Sequence, residues 1–301
     1  MKKQLLLAAS LLGVFINVEA QKPDTARVLV HYKFSHVRDT MNRAHPDTEN
    51  MVLFVGKNAS AYKSYDGIVA KAQFKKAYAE AAASSPDGRP MINRRHVGSF
   101  IEYYQFPNEQ KFFTKDQLII NSYLIESPMP TIDWKISSDT ATFGGLHCQK
   151  ASAHFKGRDY TVWFCPDLPV HTGPWKLNGL PGVIVDAHDT KNEVVFKFDG
   201  VEKAVPTPPG TGPADTDLPP ILQGLNDDLN LIEPPAKAIK ATQKEFDKLK
   251  ETMEKDPQAF AQAIMAGNHA DGVKMDPIRV GKGPARHGPV INNPIELPEK
   301  K

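Results

Sequence analysis

Apolar and polar residues alternate across residues 26–36. Val28, Val30, Tyr32 and Phe34 fall on one side, and Leu29, His31 and Lys33 on the other. A period of two predicts a strand whose faces meet different surroundings. A polar stretch, residues 39–50, reads as a connector to the apolar strand Met51-Val52-Leu53-Phe54-Val55, which ends at Gly56-Lys57-Asn58. Residues 61–65 read as its hairpin partner. Residues 66–83 are rich in Ala and Lys, with Ile68, Ala72 and Tyr78 near one face. They predict a helix capped by Asp66 and stopped by the turn signal Ser84-Ser85-Pro86-Asp87-Gly88, inserted beside a sheet over residues 66–84. Strand-like runs follow at 100–106, 111–114, 117–125, 134–136, 147–155, 160–165, 182–187 and 193–198. The predicted fold is mainly β with α insertions. An antiparallel meander forms a curved sheet, half-barrel or barrel, and a C-terminal helical segment follows.

The pattern changes after the β-rich part, which spans residues 21–204. Residues 205–235 hold Pro206, Pro208, Pro209, Pro213, Pro219, Pro220, Pro234 and Pro235. So few backbone donors predict a linker or a strap over the surface. Residues 236–267 read as helical. Ile239, Phe246, Leu249 and Met253 have helical spacing over 237–255, and Asp256-Pro257 restarts a helix with Asp as cap and Pro at its first position. Gly267 is a stop signal, and the tail 268–301 is rich in Gly and Pro.

The N-terminus adds a compartment. Lys2 and Lys3 precede an apolar run to Ile16, and Val18-Glu19-Ala20 ends in a small residue. That order predicts a secretory signal over residues 1–20, cleaved to leave Gln21 first. The run is shorter than the roughly 20 residues that span a bilayer, and no later segment is long and apolar enough, so a mature chain without a transmembrane segment is expected. Removing two lysines and one glutamate takes the formal charge from +2 to +1, with no basic field for nucleic acid.

Cys148 and Cys165 are the two cysteines, an even count that suggests one disulfide in an exported protein. If Lys156-Gly157 is a two-residue turn, Phe155 faces Arg158, Ala151 faces Val162, and Cys148 faces Cys165. Opposed Cβ atoms are then about 4.5–5.5 Å apart, within bridging range. A bulge would make the pair diagonal. The bridge reads as a structural staple, since no C-x-x-C motif is present and only His147 offers a pKa-lowering neighbour.

Downstream stands Gly173-Pro174-Trp175-Lys176-Leu177-Asn178-Gly179-Leu180-Pro181-Gly182-Val183-Ile184. This run resembles the signature of the GLPGLI family of exported bacterial proteins, where an apolar and an acidic residue follow the motif. Val183 replaces the family's Leu, and Asp186 supplies the acid. Flanking matches are Tyr32, the run Val52-Leu53-Phe54-Val55-Gly56-Lys57-Asn58-Ala59-Ser60, Trp134-Lys135-Ile136, Cys148-Gln149-Lys150-Ala151, Phe155-Lys156-Gly157-Arg158, Tyr160, Trp163 and Asn292-Asn293-Pro294-Ile295-Glu296-Leu297. The resemblance covers nearly the whole mature chain and departs at residues 66–84 and in the proline-rich strap. It implies an envelope protein of a Gram-negative bacterium, in the periplasm or associated with the outer membrane, from a family without a characterised function. A periplasmic or outer-membrane protein is the expected partner class.

Within the motif, Gly173, Pro174, Trp175, Gly179, Leu180, Pro181 and Gly182 form the candidate binding loop, because backbone N–H groups of such a loop can cradle an anion. Pro and Gly also suit tight turns, the competing structural reading, and Phe155, Trp163 and Trp175 read as core. His147, His154, His171 and His188 fall near the hairpin and the motif. His147 and His154 are seven apart on one strand and face opposite sides, which argues against a metal site; no metal or other cofactor is expected. Asp167, Asp186 and Asp189 read as turn and loop residues. Gly98-Ser99 lacks a nucleophile elbow. The sequence therefore favours a non-enzymatic protein that binds a ligand or a partner. A metal-dependent or Ser/Asp hydrolase is the alternative, for which His, carboxylate and nucleophile must converge beside a cleft.

Overall fold

The computed structural model describes residues 23–84, 97–205, 228–268 and 291–299. The expected signal segment, most of the proline-rich stretch and the tail from 269 to 290 lie outside the described residues.

Two antiparallel meanders build one large sheet. The first winds outward through β2 (Val28–His36), β3 (Asp47–Val55), β4 (Ser60–Ser64), β5 (Glu102–Phe106), β6 (Lys111–Leu118) and β7 (Asn121–Pro128). The second starts at the far edge with β8 (Lys135–Phe143). It winds inward through β9 (Leu146–Phe155), β10 (Arg158–Cys165), β11 (Val183–Asp189) and β12 (Val194–Lys203), which pairs with β2. A short strand β14 (Ile239–Ala241) adds parallel to β7, and the sheet does not close. The strands β1 (Asp24–Thr25) and β13 (Leu231–Ile232) form a separate pair.

This topology forces curvature. β7 and β8 lie ten strands apart in the sheet, about 48 Å at the usual strand spacing. Residues 129–134 join them, and that length reaches about 25 Å at full extension. A flat sheet cannot be bridged this way, so the sheet curls through roughly half a turn or more. Its concave face holds Val30, Tyr32, Met51, Leu53, Tyr62, Val162, Phe164, Ile184 and Phe196, packed on Trp175, Leu177 and Leu180 of the loop after β10. Val52, Phe54, Ala61, Tyr104 and Phe113 pack on the other face beneath Ile232. Covering on both faces explains why residues 51–55 are apolar without a break.

Local chemistry accounts for the element ends. The helix α1 (Tyr65–Ser84) is capped by Ser64, whose Oγ accepts from the Gly67 N–H at 2.9 Å. Asp66, the expected cap, instead accepts from the Asn50 backbone and side-chain N–H groups, 2.9 Å each. Polar residues 47–50, expected in a connector, belong to β3 opposite residues 33–36. The run 117–125, expected as one strand, is split by a two-residue turn in which Ile119 has φ 57°; its two central residues, Ile119 and Ile120, are neither Gly, Pro nor Asn. Residues 239–241 pair as β14 rather than starting a helix. The helix α2 (Gln243–Lys255) begins at the Thr242–Glu245 capping box. Asp256 caps α3 (Pro257–Asn268) as expected, accepting from the Ala259 N–H at 2.9 Å. Phe246 and Phe260 of these helices pack on Tyr123 and Ile125 at the sheet edge.

Candidate functional site

The hairpin β9–β10 has the register expected from the Lys156-Gly157 turn: Phe155 faces Arg158, Ala151 faces Val162. Cys148 and Cys165 are joined, with Cα atoms 4.1 Å apart. The disulfide anchors the start of the loop 166–182. Gly182 packs so closely on the Cys165 carbonyl that a Cβ there has no room, which accounts for one glycine of the motif.

The loop turns inward. Gly173, Pro174, Trp175, Leu180 and Gly182 are buried, while Gly179 and Pro181 are exposed. Gln105 on β5 fastens it, its Nε2 donating to the carbonyls of Gly173 and Trp175 at 3.1 Å each and of Leu177 at 3.4 Å. Gln105 Oε1 accepts from Thr172 Oγ1 at 2.8 Å. From the crossing segment, Trp134 Nε1 donates to Asn178 O at 2.8 Å, and Asn178 Nδ2 donates to Pro130 O at 3.0 Å. The loop is thus a plug in the concave face. Its carbonyls at Gly173, Trp175 and Leu177 are spent on the scaffold, and of the seven motif residues predicted for binding, Trp175 alone borders the cavity between loop and sheet.

That pocket, partly open to solvent, holds about 130 Å³ between plug and sheet, walled by Phe34, Met51, Tyr62, Tyr103, Trp175 and Phe196. Phe34 and Phe196 are 5.1 Å apart, Tyr62 and Phe196 6.3 Å, and Trp175 lies parallel to Phe196 at 6.3 Å. Burial pushes the Tyr62 phenol well above its ordinary pKa, and the neighbouring Tyr32, Glu49 and Tyr103 add to the rise. Tyr62 Oη and Trp175 Nε1 are sealed off from solvent and lack a hydrogen-bond partner among the described residues. Burial raises the Tyr103 phenol pKa, and the neighbouring Trp175 indole N–H offsets part of that rise.

His36, Arg38, Glu49 and Ser99 line the polar end, and Ile295 from the C-terminal segment completes the wall. Ile295 is fixed there by a buried polar lock. Arg158 donates through Nε to the Ile295 carbonyl (2.9 Å), through Nη2 to Asn293 Oδ1 and the Pro294 carbonyl (2.7 Å each), and through Nη1 to Asp189 (2.7 Å) and Glu193 (3.1 Å). Arg43 reaches Glu193 from outside at 2.7 Å. Burial would raise the Glu193 pKa, but hydrogen bonds from Arg43, Arg158 and Asn293 outweigh it and hold the carboxyl below its usual range. His36 Nε2 lies 2.8 Å from the Asn293 carbonyl. Burial depresses the His36 imidazole pKa against that bond, and Arg38 and Arg158 depress it further.

Other sequence candidates lie outside this site. His147 is exposed and pairs with Asp167 at 3.1 Å, and His154 is exposed between Asp159 and Glu299. Asp186 holds the Phe198 N–H and Lys197, and Asp189 belongs to the lock. Among the described residues, no group of three or more His, Cys, Asp or Glu side chains is placed to hold a metal ion. Two larger depressions exist, about 570 Å³ beside α1 and about 600 Å³ beneath residues 233–245. In the first, the charged side chains and His31 are already paired: Lys33 with Asp199, Asp66 with Asn50, His31 with Glu202. Of the cavity lining, sequence reasoning had singled out Trp175 but not Tyr62, Tyr103 or Phe196, because each of these reads locally as an ordinary strand residue.

Fold and site together define a curled, open antiparallel sheet, plugged by its own loop around an aromatic cavity. The chain matches no protein-family model and no curated protein. Two crystal structures of PNGF-II, in space groups P21 and C2, are similar to it at TM-scores of 0.47 and 0.45, with 13% and 11% identity. Each likeness covers 74% of this chain and 32% of the PNGF-II chain.

Proposed function

We propose that this protein is an exported binding protein of the cell envelope that takes a small, mainly apolar ligand into the cavity beside Trp175. The observation carrying this reading is the wall of four aromatic rings and two further aromatic or thioether side chains, Trp175 and Met51, around a partly open pocket. Apolar walls with few polar groups are the usual make-up of a small-molecule site. Its volume is close to that of an engineered apolar cavity of about 150 Å³ that accepts benzene. Export, a periplasmic or outer-membrane location and kinship with the GLPGLI family belong to the same proposal and rest on the sequence pattern. No helix of the described residues is long and apolar enough to cross a membrane.

The hydrolase alternative needs His36, Ser99 and a carboxylate joined around the cavity. Each is turned onto backbone instead. Glu49 Oε1 accepts from the Ser99 N–H, Ser99 Oγ accepts from the Ile101 N–H, and His36 meets the Asn293 carbonyl. The test is calorimetric titration of the mature, disulfide-bonded chain with toluene, alongside Met51→Trp, which fills the cavity. Saturable binding that Met51→Trp abolishes is expected. Binding unaffected by that variant would place the ligand elsewhere, and ester turnover lost in Ser99→Ala would favour the hydrolase.

A further inference from the structure

The C-terminal segment 291–299 is fastened to the end of β2 and to the β9–β10 turn by polar bonds. The Asn292 and Asn293 N–H groups donate to the Arg38 carbonyl at 3.1 and 3.0 Å, and the Leu297 N–H donates to the Lys156 carbonyl at 3.0 Å. His36, the last residue of β2, touches both this segment and the pocket. Its Nε2 meets the Asn293 carbonyl at 2.8 Å, two residues before Ile295, which completes the pocket wall. A carbonyl can only accept, so that nitrogen carries a proton whether the imidazole is neutral or charged. Protonation therefore changes the charge and leaves the bond possible. We propose that the C-terminal segment is an acid-released latch: a proton on His36 lifts the Asn292–Ile295 stretch and withdraws Ile295 from the pocket.

This inference rests on the pocket being a ligand site and adds its regulation. The charges facing His36 are already matched among the described residues. Arg38 is paired with Asp47 at 2.8 Å, Arg43 with Glu193 at 2.7 Å, and Arg158 with Asp189 and Glu193 at 2.7 and 3.1 Å. Asp39 takes Asn292 Nδ2 at 2.7 Å, and Glu49, the carboxylate of the pocket lining, takes the Ser99 N–H. A charged His36, 5% exposed, would be stripped of water without an anion of its own. Burial holds its pKa below the ordinary value and Arg38 and Arg158 lower it further, against the Asn293 carbonyl and Asp47. Lifting the stretch lets water reach the ring, which then keeps its proton. The closed form is favoured fully above the ordinary value of 6.5 and loses that advantage as pH falls below it. The acidic groups at the segment do not titrate in that range. Against burial, cationic partners hold Glu193 and Glu296 below the usual carboxylate range, and His154 does so for Glu299. Hydrogen bonds to Asp159 and Glu299 raise the His154 pKa, so a charged His154 keeps the far end seated and the segment opens from Asn292.

Amide hydrogen exchange of the mature chain, followed by NMR and divided by the intrinsic rate at each pH, tests the latch without a ligand. The opening constant at Asn292 and Asn293 should rise up to about tenfold per pH unit below about pH 6.5, the slope of one proton taken up on opening. Amides of β3 and β11 should keep their protection. His36→Gln, which retains a donor and cannot titrate, should flatten the rise, and His154→Gln, at an exposed residue, should leave it in place. Protection at Asn292 and Asn293 that ignores pH, or that falls together with β3 and β11, would overturn the latch. So would a rise that vanishes in His154→Gln. Toluene at about ten times its Kd should deepen protection of both amides about tenfold, because it binds the closed form. Bound toluene that leaves both amides unchanged would refute the coupling to the pocket. No toluene binding at all would remove the binding reading and with it the latch's role there, whereas pH-insensitive protection beside intact toluene binding would overturn the latch alone.

Discussion

Replacing Arg158 with Met tests the lock that seats the C-terminal segment. The side chain is 2% exposed and makes five hydrogen bonds, three of them to residues 293–295. Met keeps much of the volume and removes the charge. Glu193 would retain Arg43 and Asn293. Asp189 would keep the N–H groups of Glu193 and Val194 on Oδ1 but lose its partner on Oδ2. Removing one member of a buried ion pair costs about 3–5 kcal/mol, chiefly because the other charge stays buried. Glu193's second cation places the expected loss near 3 kcal/mol, a large share of the 5–15 kcal/mol typical of a folded domain. Urea unfolding followed by tryptophan fluorescence measures it. Adding Asp189→Asn should recover about 1 kcal/mol or more, because the orphaned charge is then gone. A loss below about 1 kcal/mol for Arg158→Met, with no recovery in the double variant, would show that the segment is draped over the sheet and not locked to it. The lock also supplies Ile295 to the cavity wall, so weaker toluene binding in Arg158→Met should accompany the lost stability.

Two further predictions concern the scaffold. Reducing the disulfide, or changing Cys148 and Cys165 together to Ala, should cost about 3 kcal/mol for this loop of 17 residues, and a urea midpoint unchanged by reductant would contradict it. Glu102 sits between Lys63 and Lys115; burial would raise its pKa, but the two lysines and the Tyr104 hydroxyl bring it down to about 2. A carboxyl with a depressed folded pKa stabilises fully above its unfolded value and loses that contribution as pH falls towards the folded one. Stability should therefore drop between about pH 4.5 and about pH 2, by about 2 kcal/mol after allowance for solvent at the edge of the side chain. Glu102→Gln should flatten that part of the profile, and an unchanged acid limb would refute the assignment.

Local pattern determined much of this molecule. The two-residue turn at Lys156-Gly157 fixes the hairpin register by itself, and with it the opposition of Cys148 and Cys165. Alternation in residues 28–34 and 194–198 assigns Val30, Tyr32, Val194 and Phe196 to the core face because successive strand side chains point to opposite sides. Asp256-Pro257 announces its helix because the cap and the proline act within one turn. What the sequence alone did not disclose depends on pairings between distant residues. The β2–β12 ladder joins segments more than 150 residues apart, and no local window carries that information. The curl follows only when strand order is set against the reach of residues 129–134. The Pro-Gly motif reads as a turn in either an exposed loop or a buried one; Gln105, some 70 residues earlier, turns it inward. Tyr62, Tyr103 and Trp175 line one pocket only because that fastening brings distant elements together, which residue type alone does not decide.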